Sequence, residues 1–440
     1  MFQVVTRIET QPGRTPTGPE IAWMAARETR LSRLLVAYIS TGLLFMLLPG
    51  TFLGVWNLVA ISGRRAADSV SPAWIQAHGH AQIFGWIGTF ILGIGFYSIP
   101  KLRRLEPFAL SAGWAAWGLW TAGVTLRWFS GVAAWGWRMA LPASAGLELA
   151  AFLIFLRCVA GHRPQEGKGA PEPWVWVVIA ATAGLLLTLV VNLGAALWLA
   201  TRGSSPDLPT GFDQRFLVLE TWGFLVPFVW GFSAKWLPVF LGLRPLRVGA
   251  LGSAVALNFA GVAAAMAGWM TGAAVLLLAG MVAAIAALGI LERTPRPAKT
   301  QGVSASFPAF VRLAYVWGAV AGALGIGATR ASDPSGIWGA SRHALTVGFL
   351  AMMVFCVGQR VLPAFSGMKV LFSTKLMAAA MGLLAAGCVL RVGSEILAYQ
   401  GIAPAAWRWL PISAVTEMTA VSLFAANLWL SFAQKHRAHS

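Results

Sequence analysis

The chain has 440 residues, 58% of them hydrophobic and only 11% charged, with a mean hydropathy of +0.70. That composition lies outside the range of water-soluble globular domains and puts the protein in a bilayer. The formal net charge of +18 does not signal a nucleic-acid partner, because Lys and Arg sit in short clusters between apolar runs and not along one helical face. Cys158, Cys356 and Cys388 are scattered, with no CxxC or zinc spacing, which argues against disulfides, iron–sulfur clusters and thioether-linked cofactors.

Residues 1–33 are polar and Arg-bearing, lack the apolar stretch and cleavage site of a signal peptide, and read as a cytoplasmic tail. From there apolar runs near the ~20 residues needed to cross the hydrocarbon core recur along the chain. Spans are predicted at about 34–61, 76–100, 107–126, 136–157, 173–200, 214–241, 248–268, 271–291, 308–328, 341–363, 375–397 and 408–433. The seventh and eighth are divided only by the turn Gly268-Trp269-Met270-Thr271-Gly272, and the fourth carries Arg138 and Pro142. Residues 434–440 read as a second tail. The expectation is one all-α domain over 34–433, a polytopic bundle of about twelve transmembrane helices.

Lys and Arg should accumulate in alternate, cytoplasmic loops. With the N-terminus inside, the inner segments hold Arg27, Arg30 and Arg33; Lys101, Arg103 and Arg104; Arg163 and Lys168; Arg244 and Arg247; Arg293, Arg296 and Lys299; Lys369; and Lys435 and Arg437. The outer loops hold chiefly Arg64, Arg65, Arg202 and Arg330. Both termini are therefore expected in the cytoplasm. Trp74, Trp174, Trp338 and Trp407 near span ends fit an interfacial belt.

The second and tenth spans align without a gap. His80 meets His343, Gly85 meets Gly348, Gly95 meets Gly358, and Pro100 meets Pro363, each proline twenty residues after its histidine. The sixth span joins when Pro238 is placed on those prolines: Gly223 falls on the glycines, and Val218 takes the histidine position. A period of four spans predicts three pseudo-repeats of four helices.

Of six histidines, His162, His436 and His439 fall in cytoplasmic segments, leaving His78, His80 and His343 in spans. Ionisable residues inside a span are costly and usually functional, although a histidine hydrogen-bonded between helices is the structural alternative. The second and tenth spans run the same way and carry their histidines near their starts, so one on each can ligate opposite sides of a haem iron. Absence of CxxCH makes such a haem non-covalent. His78 and His80 point about 200° apart on a helix, so only one of them can face it. The other is left for copper, a proton path or a hydrogen bond.

Ala77-His78-Gly79-His80-Ala81-Gln82-Ile83-Phe84 resembles the second-helix motif of haem–copper oxidase subunit I, and the stretch from His343 to Leu362-Pro363-Ala364-Phe365-Ser366-Gly367 resembles its tenth helix. The spacing to Pro100 in that family selects His78 over His80 as the low-spin haem ligand, with His343 opposite. Ser341 stands where the family has its high-spin ligand, and no histidine occurs in the sixth or seventh span, so oxygen reduction is not expected. The wording at 78–86 and His343-Ala344-Leu345-Thr346-Val347-Gly348 is similar to the NnrS family, twelve-helix bacterial membrane proteins reported to bind haem and copper and linked to the nitric oxide response. Ala81 departs from the acidic residue of that family.

The resemblance implies a haem b protein of the bacterial inner membrane, with a quinol or cytochrome as redox partner and copper left open at His80. It also suggests arginines for the haem propionates: Arg408, at the outer start of the twelfth span, and then Arg391, four residues before Glu395. Glu148, Glu220 and Glu417 are read as helix-bridging in preference to a proton route. The competing readings are a multi-helix transporter, and an oxidase-like enzyme acting on nitric oxide.

Overall fold

Long apolar segments can satisfy their backbone in lipid only by closing hydrogen bonds within the segment. The computed structural model of this chain describes residues 18–103, 108–161, 172–365 and 371–437, and among them every regular element is helical. Eleven helices are long and apolar enough to cross a membrane: α1 (Ala25–Arg64), α2 (Pro72–Leu102), α4 (Trp137–Gly161), α5 (Pro173–Arg202), α6 (Thr210–Phe240), α7 (Val248–Met266), α8 (Met270–Leu288), α9 (Phe307–Ala328), α10 (Ser335–Pro363), α11 (Thr374–Tyr399) and α12 (Pro404–Gln434). Between α2 and α4 lies α3 (Leu110–Ala133), 24 residues long, whose four tryptophans and buried Arg127 lower its hydropathy. The protein is thus a multi-pass membrane protein whose helices follow the predicted spans in position. The helix that carries α1 already begins at Gly18, so a polar helical stretch precedes the apolar span within the expected tail. Arg104, Arg163, Lys168, Lys369, His162, His439 and the Ser366-Gly367 end of the tenth-span motif lie outside the described residues.

Large apolar side chains such as Leu48, Phe52, Leu153, Ile179, Leu187 and Val282 stay exposed on the outer faces of the bundle, as lipid-facing residues must. The interior belongs to three helices. In α2, α6 and α10 the most apolar stretch is 78%, 78% and 72% buried, against 33–44% in the other spans. Each of the three also opens into wide π turns in one register: Ala81–Gly88, Thr221–Leu225 and Ala344–Ala351. Counted back from Pro100, Pro238 and Pro363, the five residues of the α6 turn fall inside the other two. A π turn leaves carbonyls without their helical partner, and neighbouring helices supply donors. Trp120 Nε1 of α3 donates to Phe84 O at 3.1 Å, and Asn258 Nδ2 of α7 donates to Trp222 O at 2.7 Å, two carbonyls at the same register.

Close helix approach is set by glycine. The α-carbon of Gly184 in α5 lies so near the carbonyl of Gly223 in α6 that a side chain would overlap the backbone. A threefold pattern recurs between neighbouring helices. Gly123 of α3 packs on Ser144 O and Glu148 of α4, Gly261 of α7 on Ala273 O and Leu277 of α8, and Gly387 of α11 on Ser413 O and Glu417 of α12. Four residues after these glycines come Arg127, Ala265 and Arg391.

One end of the bundle gathers cations. Lys101 Nζ and Tyr97 Oη of α2 both reach Glu28 Oε1 at the start of α1, Lys235 of α6 pairs with Glu172 at 2.6 Å, and Arg360 of α10 donates to Lys299 O. The Lys235 hydrogen bond holds the Glu172 carboxyl below its ordinary range. At the opposite end Ser62 donates to Trp407 O and Gln76 to Leu208 O. Also at that end, α3 terminates on Ala134 with φ +53°, a left-handed conformation that costs a non-glycine residue about 1 kcal/mol. Ala134→Gly is expected to raise stability by about 0.5–1 kcal/mol, seen as a higher denaturation midpoint in detergent; a lowered midpoint would contradict this account of the α3 cap.

Candidate functional site

The three intramembrane histidines fall at the junction between the first turns of α2 and α10 and the π turns that follow. His78 Nδ1 lies 2.8 Å from the carbonyl oxygen of Gly50 in α1. A carbonyl can only accept, so Nδ1 carries the proton and Nε2 the lone pair. Gly50 sits in a π turn, Met46–Phe52, that forms around Pro49, and Gly54 one turn further on lies against the His78 ring. Gln82, four residues after His78, donates to Thr51 Oγ1 and ties the same turn to α2.

His343 is arranged in parallel. Its Nδ1 is 2.8 Å from Gly339 O and 3.1 Å from Glu395 Oε2 of α11, so again Nε2 holds the lone pair. Arg391 Nη2 approaches that lone pair at 3.3 Å, and Arg391 Nε lies 3.6 Å from Glu395. The expected Arg391–Glu395 pairing is therefore present, with His343 as its third member. Arg391 is 6% exposed, yet its Nε and Nη1 make no hydrogen bond. Glu395 fits only because residue 339 is glycine, where any side chain would run into the carboxylate.

His80 faces elsewhere. Its Nε2 bonds Glu148 Oε1 of α4 at 2.7 Å, Asn192 of α5 reaches the other carboxylate oxygen at 3.4 Å, and the ring stacks on Phe84. His80 is 6% exposed and Glu148 is fully buried. Glu148 thus bridges α2 and α5, as read from the sequence. Glu148→Leu is expected to cost about 3 kcal/mol or more, because His80 loses its acceptor where no water reaches it. The double change His80→Val with Glu148→Leu should recover most of that loss. Val218 of α6, twenty residues before Pro238, and Leu277 of α8, packed on Gly261, already stand at the matching places of the proline register and the glycine contact. Denaturation midpoints of the single and double variants decide it; a double variant as unstable as the single would count against the pairing.

His78 and His343 are therefore brought near each other. Each lies within electrostatic reach of the other, and Arg391 within reach of both. Two imidazoles with Nδ1 tied to a backbone carbonyl, so that Nε2 carries the lone pair, are the donor set a bis-histidine metalloporphyrin requires, and in this structure the His343 lone pair accepts from Arg391. A quarter of the His343 side chain stays accessible although its helix is largely buried. The residues present thus fit such a group. Arg408 closes a short turn, Pro404–Arg408, and is exposed; its neighbour Trp407 stacks on Tyr399 and accepts from Ser62 of α1. Among the described residues no three His, Cys, Asp or Glu side chains gather as a metal cluster.

Arg127 escaped the sequence reading. It is 9% exposed, has no hydrogen bond to Nε, and is surrounded electrostatically by Glu148, Glu220 and Asp213. The Gly-x-x-x-Arg spacing shared by Gly123-Arg127 and Gly387-Arg391 was the signal available for it. The carbonyls of Gly50 and Gly339 carried none, since backbone groups have no sequence letter.

No curated protein matches this chain. A family model described as NnrS protein matches residues 35–435, nearly the whole length, and the chain belongs to the NnrS family.

Proposed function

We propose that this protein holds a non-covalent haem b between His78 and His343, and that it serves nitric oxide response or membrane electron transfer. The observation that carries this reading is the matched tautomer of the two imidazoles: both Nδ1 protons are tied to backbone carbonyls, which leaves Nε2 of each as the metal-binding nitrogen, and the two histidines lie within electrostatic reach of each other. Haem would supply a one-electron couple there. His78 and His343 would hold the haem through Nε2, and Glu395 fixes the His343 ring through Nδ1. Arg408 at the α12 entrance is the cation offered first to the propionates, with Arg391, which is engaged by His343 and Glu395, second. Copper enters only through His80, whose Nε2 is shared with Glu148; iron and copper contents of wild type and His80→Ala test it.

The architecture we infer is that of the haem–copper oxidase subunit, with α3 as a twelfth crossing and three related four-helix units. Support comes from the burial of every fourth helix, the common register of the π turns, and the thrice-repeated glycine contact. The outer units keep a histidine, an arginine and a glutamate, as His80, Arg127 and Glu148 and as His343, Arg391 and Glu417. The middle unit replaces all three with Val218, Ala265 and Leu277. The cation-rich end belongs on the cytoplasmic side of the bacterial inner membrane, with both termini there, leaving the histidines toward the outer face. A quinol or cytochrome partner would exchange electrons at that face. The absorption spectrum of protein purified from haem-replete cells tests the reading: a split low-spin b-type band supports it, and a colourless protein overturns it.

A further inference from the structure

Arg391 has three acceptors in its surroundings, Glu395, His343 Nε2 and Glu417, and donates a hydrogen bond to His343. Its Nη2 lies on His343 Nε2 at 3.3 Å, the nitrogen that haem iron needs, while its Nε and Nη1 make no hydrogen bond. On α12, Glu417 Oε1 is buried without a hydrogen-bond partner, and Glu417 lies within electrostatic reach of both Arg391 and His343. Glu417 packs on Gly387, one helical turn before Arg391, so a guanidinium that stays paired with Glu395 has both an imidazole lone pair and an unsatisfied carboxyl to donate to, which is what a two-state element requires. His78 is held differently. Gly50 O anchors its Nδ1, Gly54 backs the ring, and no hydrogen bond to its Nε2 occurs among the described residues.

We propose that Arg391 makes His343 the releasable axial ligand, so that the haem takes a neutral diatomic gas on the His343 side while His78 stays bound. The inference rests on the haem reading above. With His343 on the iron, Arg391 turns to Glu417. When the gas arrives, the bond from iron to His343 Nε2 breaks and the bond from iron to the gas forms. Arg391 then donates to the freed imidazole as it does in this structure. No electron or proton is transferred, and the guanidinium stays charged throughout. Without such a donor the freed lone pair would be left unsatisfied in an apolar interior, and release would be opposed.

Carbon monoxide is the probe. Haem-loaded, dithionite-reduced protein is mixed with increasing CO, and rates are read from the haem-bearing fraction. Wild type should form a CO adduct at a rate that levels off, because release of His343 becomes limiting. In Arg391→Met the plateau rate should fall about tenfold, the worth of one charge-assisted hydrogen bond. Arg391→Lys should lie between. In Glu417→Leu the plateau should rise, since the cation has lost its alternative partner. Packing damage would move both variants in the same direction, whereas competition between His343 and Glu417 for the cation moves them oppositely. His343→Ala should bind CO in proportion to its concentration, with no plateau.

The proposal is overturned if haem-bearing wild type takes no CO. It is overturned equally if Arg391→Met keeps the wild-type plateau, if Arg391→Met and Glu417→Leu shift together, or if the plateau survives in His343→Ala. A protein colourless before CO is added overturns the haem reading and this inference together, and the spectrum distinguishes that failure from the others.

Discussion

His78→Ala and His343→Ala are each expected to abolish the low-spin haem spectrum, whereas His80→Ala should keep it in whatever fraction folds. The three histidines are close in sequence register but differ in what their ring nitrogens meet. His80 gives Nε2 to Glu148, and its ring is closed in by Phe84. His78 and His343 give Nδ1 to carbonyls of Gly50 and Gly339 and keep Nε2. Loss of a group that merely supports a ligand costs about 10- to 100-fold in metal affinity, so loss of an axial ligand should exceed that. The haem-to-protein ratio and the reduced absorption spectrum measure it. His162→Ala, in a segment expected outside the spans, serves as control. Gly54→Val provides a second route to the same site, because its added side chain presses on the His78 ring; it should lower haem retention without touching a ligand. Low-spin haem retained in both His78→Ala and His343→Ala would refute the assignment.

Gly184→Leu should prevent the bundle from assembling. Apolar helices in lipid gain little from the hydrophobic effect, so close packing carries their association. At residue 184 a side chain would occupy the position of the Gly223 carbonyl, which sits in the π turn of the central helix α6. Neither backbone can yield locally, so α5 and α6 must separate, at a cost of about 3 kcal/mol or more. Gly194, on the same helix with nothing near its α-carbon, is the matched control, and Gly194→Ala should be neutral or slightly stabilising. The folded yield and the denaturation midpoint in detergent separate the two. Equal behaviour of the two variants would remove Gly184 from this role.

Composition, the spacing of apolar runs and the clustering of Lys and Arg were enough to identify a helical membrane protein. Each of those signals depends only on transfer of single residues between water, interface and hydrocarbon. Laying Pro100, Pro238 and Pro363 in one register likewise picked out α2, α6 and α10, the three spans whose apolar stretches are most buried, because proline marks backbone geometry directly. Hydropathy is silent on the polar helical stretch that precedes the first span from Gly18, and on Arg127 in a tryptophan-rich α3. The choice between His78 and His80 was beyond it too. The repeat register favoured His80, the family spacing favoured His78, and a two-residue separation on a helix carries no information about which side holds an acceptor. That depended on a glutamate 68 residues later in the chain and on a carbonyl of Gly50, exposed where Pro49 widens α1. The partners of each ring nitrogen come from other helices and from the backbone, so only their packing assigns His80 to a buried pair with Glu148 and ties Nδ1 of His78 and of His343 to backbone carbonyls.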